Sequence, residues 1–358
     1  MTPRAKLRVL ALVPYPTLGA SNRLRVEQYI PMLRADGIDI TLSPYLGDAG
    51  YRVLYQRGRV AAKAVYVALG ALRRLGDLLT ARTYDLVLVH RETAPVGPPL
   101  VERVLAKRRV PYVFDFDDAI FLPAIHPANR PWAWLRRPNP DETAKRARSV
   151  ISGNEYLAAW ARQRNARVVV IPTPVDTERH RPRTEERNEA PIVIGWVGSS
   201  TTAPYLRILD AVFARLAGRH RFVVRVIGGA YEHEAAHVEC VPYSLADEPA
   251  QVRAFDIGVL PEPDDAWTRG KGAFKGLLYM ASGVPVVASR VGVNEDVIGP
   301  GGYCVDDEDG WIATLERLLT DAALRRSLGA LGRRRAVERY SLAVQAPRLA
   351  AALRDALV

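Results

Sequence analysis

The sequence predicts an α/β protein built from two doubly wound parallel-sheet domains that face a central cleft. Three observations carry that expectation. Short β-branched apolar runs alternate with amphipathic helical stretches along the chain, the order that builds parallel sheets. Most of these runs are continuously apolar, as strands covered on both faces read. A polar stretch, TERHRPRTEERNEAP at 177–191, divides the 358 residues into two arrays of similar size. A chain of that length exceeds one ordinary core and suits two.

The first array offers strands at 8–13, 38–43, 86–90, 112–116, 149–152 and 168–171. The second offers 193–197, 222–227, 257–261, 285–288 and 302–305. Amphipathic helices are expected at 205–217 and 310–319, and the tail from Asp321 is helical by composition. The expected domains are residues 1–180 and 187–335. A helical tail, 336–358, has the first domain as its candidate packing surface. Ligands of doubly wound sheets bind outside the carboxyl ends of the strands, so each sheet would hold one half of a ligand. Oxidoreductases and sugar-nucleotide enzymes share this plan, and fold alone does not choose between them.

Composition narrows the class. Two cysteines, Cys240 and Cys304, allow no disulfide framework and no CxxC metal pair, so a reducing, cytoplasmic setting is expected. The apolar run from Leu7 to Val13 is broken by Pro14 and Pro16 and reads as a first buried strand rather than a signal peptide. No run approaches the roughly 20 residues of a membrane span. The net charge is +11 and lies on one side: residues 1–180 hold 28 Lys and Arg against 16 Asp and Glu, and the rest hold 22 against 23. Such a field suggests an anionic partner: a lipid surface, a phosphorylated acceptor or nucleic acid. The bland alternative is an Arg-rich composition on solvated faces. No helix-turn-helix, RNA-binding or zinc pattern accompanies the arginines, so nucleic acid is not an expected partner.

Four segments carry chemistry. In AWTRGKGAFKGLLYMASGVPVVAS, Lys271 and Lys275 are four apart and expected on one helix face, with Arg269 and Gly270 before them. Gly270 and Gly272 let backbone approach a ligand, and a helix starting near Ala273 would aim its N–H groups at the same place. That makes a diphosphate seat; the alternative is an exposed basic helix start. In IVIGWVGSSTTAPYLRIL, Gly198 is followed by Ser199, Ser200, Thr201 and Thr202 at a helix start. One of these hydroxyls is expected to cap the helix, and the others to bind an anion.

In PYPTLGASNRLRVEQYIPML, Gly19 and Ser21 form a glycine loop, and Arg23 and Arg25 follow at the helix start. No GxGxxG accompanies them, which weakens a dinucleotide reading. In VPYVFDFDDAIF, Asp115, Asp117 and Asp118 crowd one strand end, a costly arrangement unless used or paired. They could bind sugar hydroxyls and activate an acceptor, pair with Arg91, or hold a metal. Arg91 and Glu92 in VHRETAP and Asn154 in SGNEY lie at two further strand ends.

Together these segments resemble the GT-B glycosyltransferases grouped as family 4. YMASGVPVVAS resembles the second half of the family's donor-helix motif, and RGKGAFKGLLYMA resembles its GK-x-x-x-K form. The two glutamates of the commoner form fall on Gly270 and Leu278, which leaves the ribose contact unassigned. SRVGVNEDVI resembles the stretch that carries donor-side residues, here Asn294 and Glu295. IPTPVD resembles the end of the family's first domain. Asp117 matches the position where many members carry a histidine near the transferred sugar.

The resemblance implies the GT-B fold of two Rossmann-like domains. It implies transfer from a UDP- or GDP-type sugar to a hydroxyl acceptor with retention. No metal or cofactor is implied beyond the nucleotide-sugar co-substrate. Asp117 and Asp118 become the catalytic candidates. Gly19, Ser21, Gly198, Ser199, Ser200, Arg269, Lys271, Lys275, Asn294 and Glu295 become donor-binding. Arg23, Arg25, Arg91 and Asn154 lie on the acceptor side. A sugar-nucleotide epimerase or phosphorylase of the same architecture, or an inactive nucleotide-binding scaffold, are the competing readings. Product analysis without acceptor separates the first, and nucleotide calorimetry the second.

Two features point elsewhere. His233 to His237 spells HExxH, the zinc-helix pattern, but strand and turn character resumes at once and no third ligand follows. QRGRVAAKAVYVALGALRRLGDLL reads as a basic amphipathic helix, and Trp132 and Trp134 stand among Arg130, Arg136 and Arg137. Both make an anionic membrane surface, peripheral at its inner face, a candidate partner near a lipid-linked acceptor; the alternative is an ordinary packed helix and a Trp-rich loop.

Overall fold

The computed structural model describes residues 6–122, 139–184 and 191–358. The Trp132, Trp134, Arg130, Arg136 and Arg137 cluster lies outside the described residues. The chain forms two compact units, Met1–Thr173 with Gln345–Val358, and Pro174–Val344. The first border precedes the polar 177–191 stretch. Buried Val175 bridges Ser341, and its N–H donates to Tyr340 O at 2.9 Å, so the second unit begins at Pro174.

Unit 1 holds β1 (Leu7–Val13), β2 (Ile38–Pro44), β3 (Leu86–His90), β4 (Tyr112–Phe116), β5 (Ser149–Ser152) and β6 (Val168–Val170). They form one sheet in the order β2-β1-β3-β4-β5-β6, and every pairing is parallel. All residues of β3, β4 and β5 are buried, as their continuous apolar runs predict. The C-terminal helix Leu342–Asp355 contributes Leu349, Ala350 and Leu353 to this unit's core. Arg354 fastens it by donating to the Asp36 carboxylate and carbonyl, both at 2.6 Å.

Unit 2 holds β7 (Ile192–Val197), β8 (Phe222–Ile227), β9 (His237–Val241), β10 (Ile257–Leu260), β11 (Val286–Ser289) and β12 (Gly302–Val305). Their order is β12-β11-β10-β7-β8-β9, again all parallel. Apolar clusters cover both faces of this sheet. The expected helix at 205–217 divides into a 3-10 turn, Ala203–Leu209, and an α-helix, Asp210–Ala217. β9 is the strand character expected directly after the HExxH run; none of its residues is fully buried, as suits an edge strand.

Strand order sets where function can lie. In unit 1 the chain leaves β1 toward β2 and then turns back to β3. In unit 2 it leaves β7 toward β8 and then turns back to β10. Each reversal opens a crevice at the carboxyl ends of two neighbouring strands. Tyr279, on the helix Phe274–Ala281, fixes the second crevice. Its buried hydroxyl accepts from Val197 N–H at 3.1 Å and donates to Val259 O at 3.3 Å, tying the helix to β7 and β10. Tyr279→Phe strips Val197 N–H of its acceptor, which should cost about 1–3 kcal/mol. Urea unfolding reads this directly; a midpoint equal to that of the wild type would show that the bond contributes nothing.

Candidate active site

In unit 1, residues from the ends of β3 and β4 meet the helix that follows β1. Asp115 is buried and lies against Arg25, with Nη2 2.7 Å and Nε 3.0 Å from Oδ1. Its other oxygen meets His90 Nδ1 at 2.8 Å. His90 Nε2 lies 2.8 Å from Ser21 Oγ, and that hydroxyl accepts from Arg91 Nη1 at 3.1 Å. With Nδ1–H donating to the carboxylate, Nε2 is left to accept the Ser21 proton. Burial opposes ionisation of Asp115, but the Arg25 and His90 contacts hold its carboxyl below its ordinary value.

The cluster continues outward. Arg91 Nη2 meets Asp118 Oδ2 at 3.0 Å, while its Nη1 stays 3.9 Å from Asp117 Oδ1. Asp117 Oδ1 is buried and has no hydrogen-bond partner in the structure. Burial first, and the Asp118 charge second, push the Asp117 carboxyl upward. Of the three aspartates, one is neutralised by Arg25, one is paired with Arg91, and Asp117 remains under-satisfied. Arg91 holds φ at +62°, a left-handed conformation that a non-glycine residue adopts at a cost. It is held there by its N–H, which donates to Asp115 O at 2.8 Å.

Unit 2 gathers the second cluster around the ends of β7, β10 and β11. Lys275, in the first turn of Phe274–Ala281, sends Nζ to 5.2 Å from the Trp196 ring centroid and 3.5 Å from Thr202 Oγ1. A Cβ at Gly198 would come within 2.4 Å of the Trp196 ring, the same ring that Lys275 lies over, so glycine lets the β7 loop close on that indole. Glu262, just beyond β10, is buried; it receives Asn294 Nδ2 at 3.1 Å, and its own N–H donates to Ser289 Oγ at 2.9 Å. Burial raises its carboxyl above the ordinary value, against the opposing pull of Asn294, Lys275 and Lys271. Ser199 and Ser200 stand exposed in the loop that Lys275 reaches at Thr202.

Several expectations need correction. Lys271 and Lys275 do not share a helix face: residues 271–273 are a loop between Ala266–Arg269 and Phe274–Ala281, and Ala273 turns left-handed at φ +53°. Lys271 thus stands in the loop and Lys275 in the first helical turn, and the charges of both act on Glu262. No hydroxyl of the 199–202 run caps the following turn; Thr202 and Ala203 donate instead to Ser199 O at 3.0 Å. Arg25 is not open to an acceptor, because Asp115 and Ile171 O take its guanidinium in a buried setting. Asn154 caps the helix Glu155–Arg162 by accepting from Leu157 N–H at 2.9 Å. Arg269 pairs with Asp264 at 2.6 Å, and Glu295 pairs with Arg290, both at exposed positions. Gly19 closes a tight turn, donating to Pro16 O at 2.8 Å, and Arg23 Nη1 donates to Thr17 O at 3.1 Å.

The HExxH run is not a helix. His233 accepts from Ala236 N–H at 2.9 Å through Nδ1, and its Nε2 donates to Asp210 O at 2.8 Å, which occupies both ring nitrogens. Among the described residues no three His, Cys, Asp or Glu side chains are placed to share a metal ion.

Comparison with known proteins settles the family. Residues 25–179 match the model described as Glycosyltransferase Family 4, and residues 191–321 match Glycosyl transferases group 1. The chain belongs to glycosyltransferase family 4. Its fold is GT-B, shared with sucrose-phosphate synthase from Thermosynechococcus elongatus at TM-score 0.68 and 15% identity, covering 98% of each chain. A glycosyltransferase from Rickettsia africae gives 0.70 at 12% identity, covering 98% of this chain and 99% of that one. Anabaena HepE in complex with UDP-glucose gives 0.65 at 17%, covering 98% and 100%. At these identities the likeness carries the fold alone. A sequence relative, the MMP alpha-(1->4)-mannosyltransferase of Mycolicibacterium hassiacum, is 49% identical over 67 residues. That match spans 17% of this chain and 16% of the relative.

Sequence reasoning passed over three residues of this family 4 chain. His90 stands in the quoted VHRETAP but was overshadowed by Arg91 and Glu92; its place as the last residue of β3, at the strand reversal, was the available signal. Glu262 lies two residues beyond β10, the first of three acids after an apolar run. Tyr279 had no signal, since an aromatic in an apolar helix reads as core.

Proposed function

We propose that this family 4 chain transfers a hexosyl group from a nucleotide-diphosphate sugar to a hydroxyl acceptor, with retention and without a metal ion. The observation that carries the reading is that Lys275 reaches the open Gly198–Thr202 loop, with Nζ 3.5 Å from Thr202 Oγ1, at the strand reversal of unit 2, where the charges of Lys275 and Lys271 both act on buried Glu262. The proposal seats the donor diphosphate there. In the transfer step the anomeric carbon–oxygen bond breaks, and its electron pair leaves on the diphosphate. Two ammonium groups fixed beforehand stabilise that charge as it develops, the part a divalent cation takes in metal-dependent transfer. The acceptor oxygen bonds to the anomeric carbon on the face the diphosphate left, and its proton passes to the departing phosphate oxygen. The proposal gives unit 1 the acceptor, with Asp117 orienting hydroxyls through its unpartnered oxygen. Support comes also from the UDP and UDP-glucose complexes of HepE and from the mannosyltransferase relative.

The testing experiment is a binding and turnover screen of UDP-, GDP- and TDP-sugars by calorimetry and product analysis. One nucleotide series should bind and release its nucleoside diphosphate in the presence of a hydroxyl acceptor. Lys271→Ala and Lys275→Ala should each lower turnover by about 10²-fold. Full activity in both variants would remove the diphosphate assignment.

A further inference from the structure

The helix Val60–Thr80 turns Gly70, Arg74 and Leu78 inward. Arg74 is buried and donates to Val13 O at 2.8 Å, Ser43 O at 3.0 Å and Thr93 O at 2.8 Å, capping the ends of β1 and β2. Asp77 pairs with it at 2.7 Å. Gly70, on the same side, lies so close to the Tyr45 ring that a Cβ would come within 2.4 Å. The charged pair and the smallest residue therefore face the protein.

The outward side is apolar. Val65, Leu69, Leu72, Leu75 and Leu79 are 54% to 76% exposed. Steps of four, three, three and four residues align them in one stripe, about 21 Å long at the helical rise. Exposed leucines scattered singly are ordinary, but a continuous row marks an interaction surface. Asp77 is the single acid between positions 60 and 80, and it is turned inward. Arg57, Arg59, Arg73 and Arg82 are exposed at the ends and edge of the helix. Among the described residues, no helix is long and apolar enough to cross a membrane.

We propose that the helix Val60–Thr80 docks in the plane of an anionic lipid bilayer. The stripe enters the acyl boundary, and the arginines meet headgroup phosphates. Charge decides between this occupant and a second copy of the chain. Across a two-fold contact the same arginines would face each other with no outward acid on the helix to meet them. The inference stands apart from the transfer reading, because it uses no residue of the candidate active site.

The test is flotation of the full chain with phosphatidylcholine vesicles, with and without phosphatidylglycerol. The chain should float only with the anionic vesicles. The paired change Leu72→Gln with Leu75→Gln should lower partitioning by about tenfold or more while leaving the melting temperature in place. Arg57→Gln with Arg59→Gln should weaken binding and flatten its salt dependence. Absence of flotation at low salt, or equal flotation of the leucine variant, overturns the proposal. A dimer in sedimentation that the leucine variant dissolves, without flotation, gives the face to a second copy and also overturns it.

Discussion

Asp117→Asn is expected to lower turnover by about 10²-fold, the cost of misplacing the acceptor, while making the protein harder to unfold at neutral pH. Both effects come from one observation: a buried oxygen without a hydrogen-bond partner, next to Asp118. The sign follows from proton counting. The folded carboxyl lies above its ordinary 3.8, so between that value and the raised one the folded state binds more protons than the unfolded chain. Stability therefore falls as pH climbs through the raised value, and above it the full cost of the charge remains. Asparagine carries no charge and escapes that cost. Calorimetric melting should place the variant above the wild type at neutral pH, with the gap closing as acid protonates Asp117. The loss of activity should fall on kcat, with KM for the donor little changed, because the proposed donor seat in unit 2 is untouched. A variant that is less stable at neutral pH, or fully active, would refute this role.

The second large effect lies two residues away and has the opposite sign. Asp115→Ala is expected to destabilise unit 1 by about 3–5 kcal/mol, the cost of stranding a buried charge. The stranded group is the Arg25 guanidinium, buried with Asp115 and left with Ile171 O as its nearest acceptor. His90 loses its Nδ1 acceptor at the same time, and with it the order of hydrogen bonds that reaches Ser21. Asp115→Asn keeps the shape and should cost less. The folded carboxyl lies below its ordinary value of 3.8, so its contribution is complete above that value and is lost as pH falls through the depressed one. The acid limb of the wild-type stability curve should therefore be steeper than that of Asp115→Asn. Urea titration across that limb measures both; a loss under about 1 kcal/mol for Asp115→Ala would show that the ion pair is not structural.

Two aspartates two residues apart in one strand end thus play opposite parts. Sequence could place them together, since VFDFDD puts carboxylates where an apolar strand meets solvent. Alternation along the strand turns Asp115 and Asp117 to the same side, but it says nothing about what each meets. Arg25, ninety residues away in sequence, decided that Asp115 is structural. Without that contact all three acids are equivalent candidates, and arginines at a helix start read as ligands rather than partners. The lysines tell a similar story. Their spacing of four suggested one helical face, and the left-handed turn at Ala273 removed it. What the structure shows instead is Lys275 against Thr202, with the charges of both lysines acting on Glu262.

The sequence by itself determined the two-sheet architecture, most strand positions and the family. Those features depend on local periodicity and on motifs that lie within one strand-turn-helix unit. Apolar continuity, glycine and proline punctuation and charge spacing are short-range signals, and the chain carries them openly. Only the tertiary structure decided which carboxylate is neutralised and which is left under-satisfied. It alone joined His90 to Ser21 and turned the Val60–Thr80 helix so that Leu69, Leu72, Leu75 and Leu79 face outward. The physical reason is that a side chain's charge state and exposure depend on partners brought together from distant strands. Burial makes each such contact count for several times its worth in water.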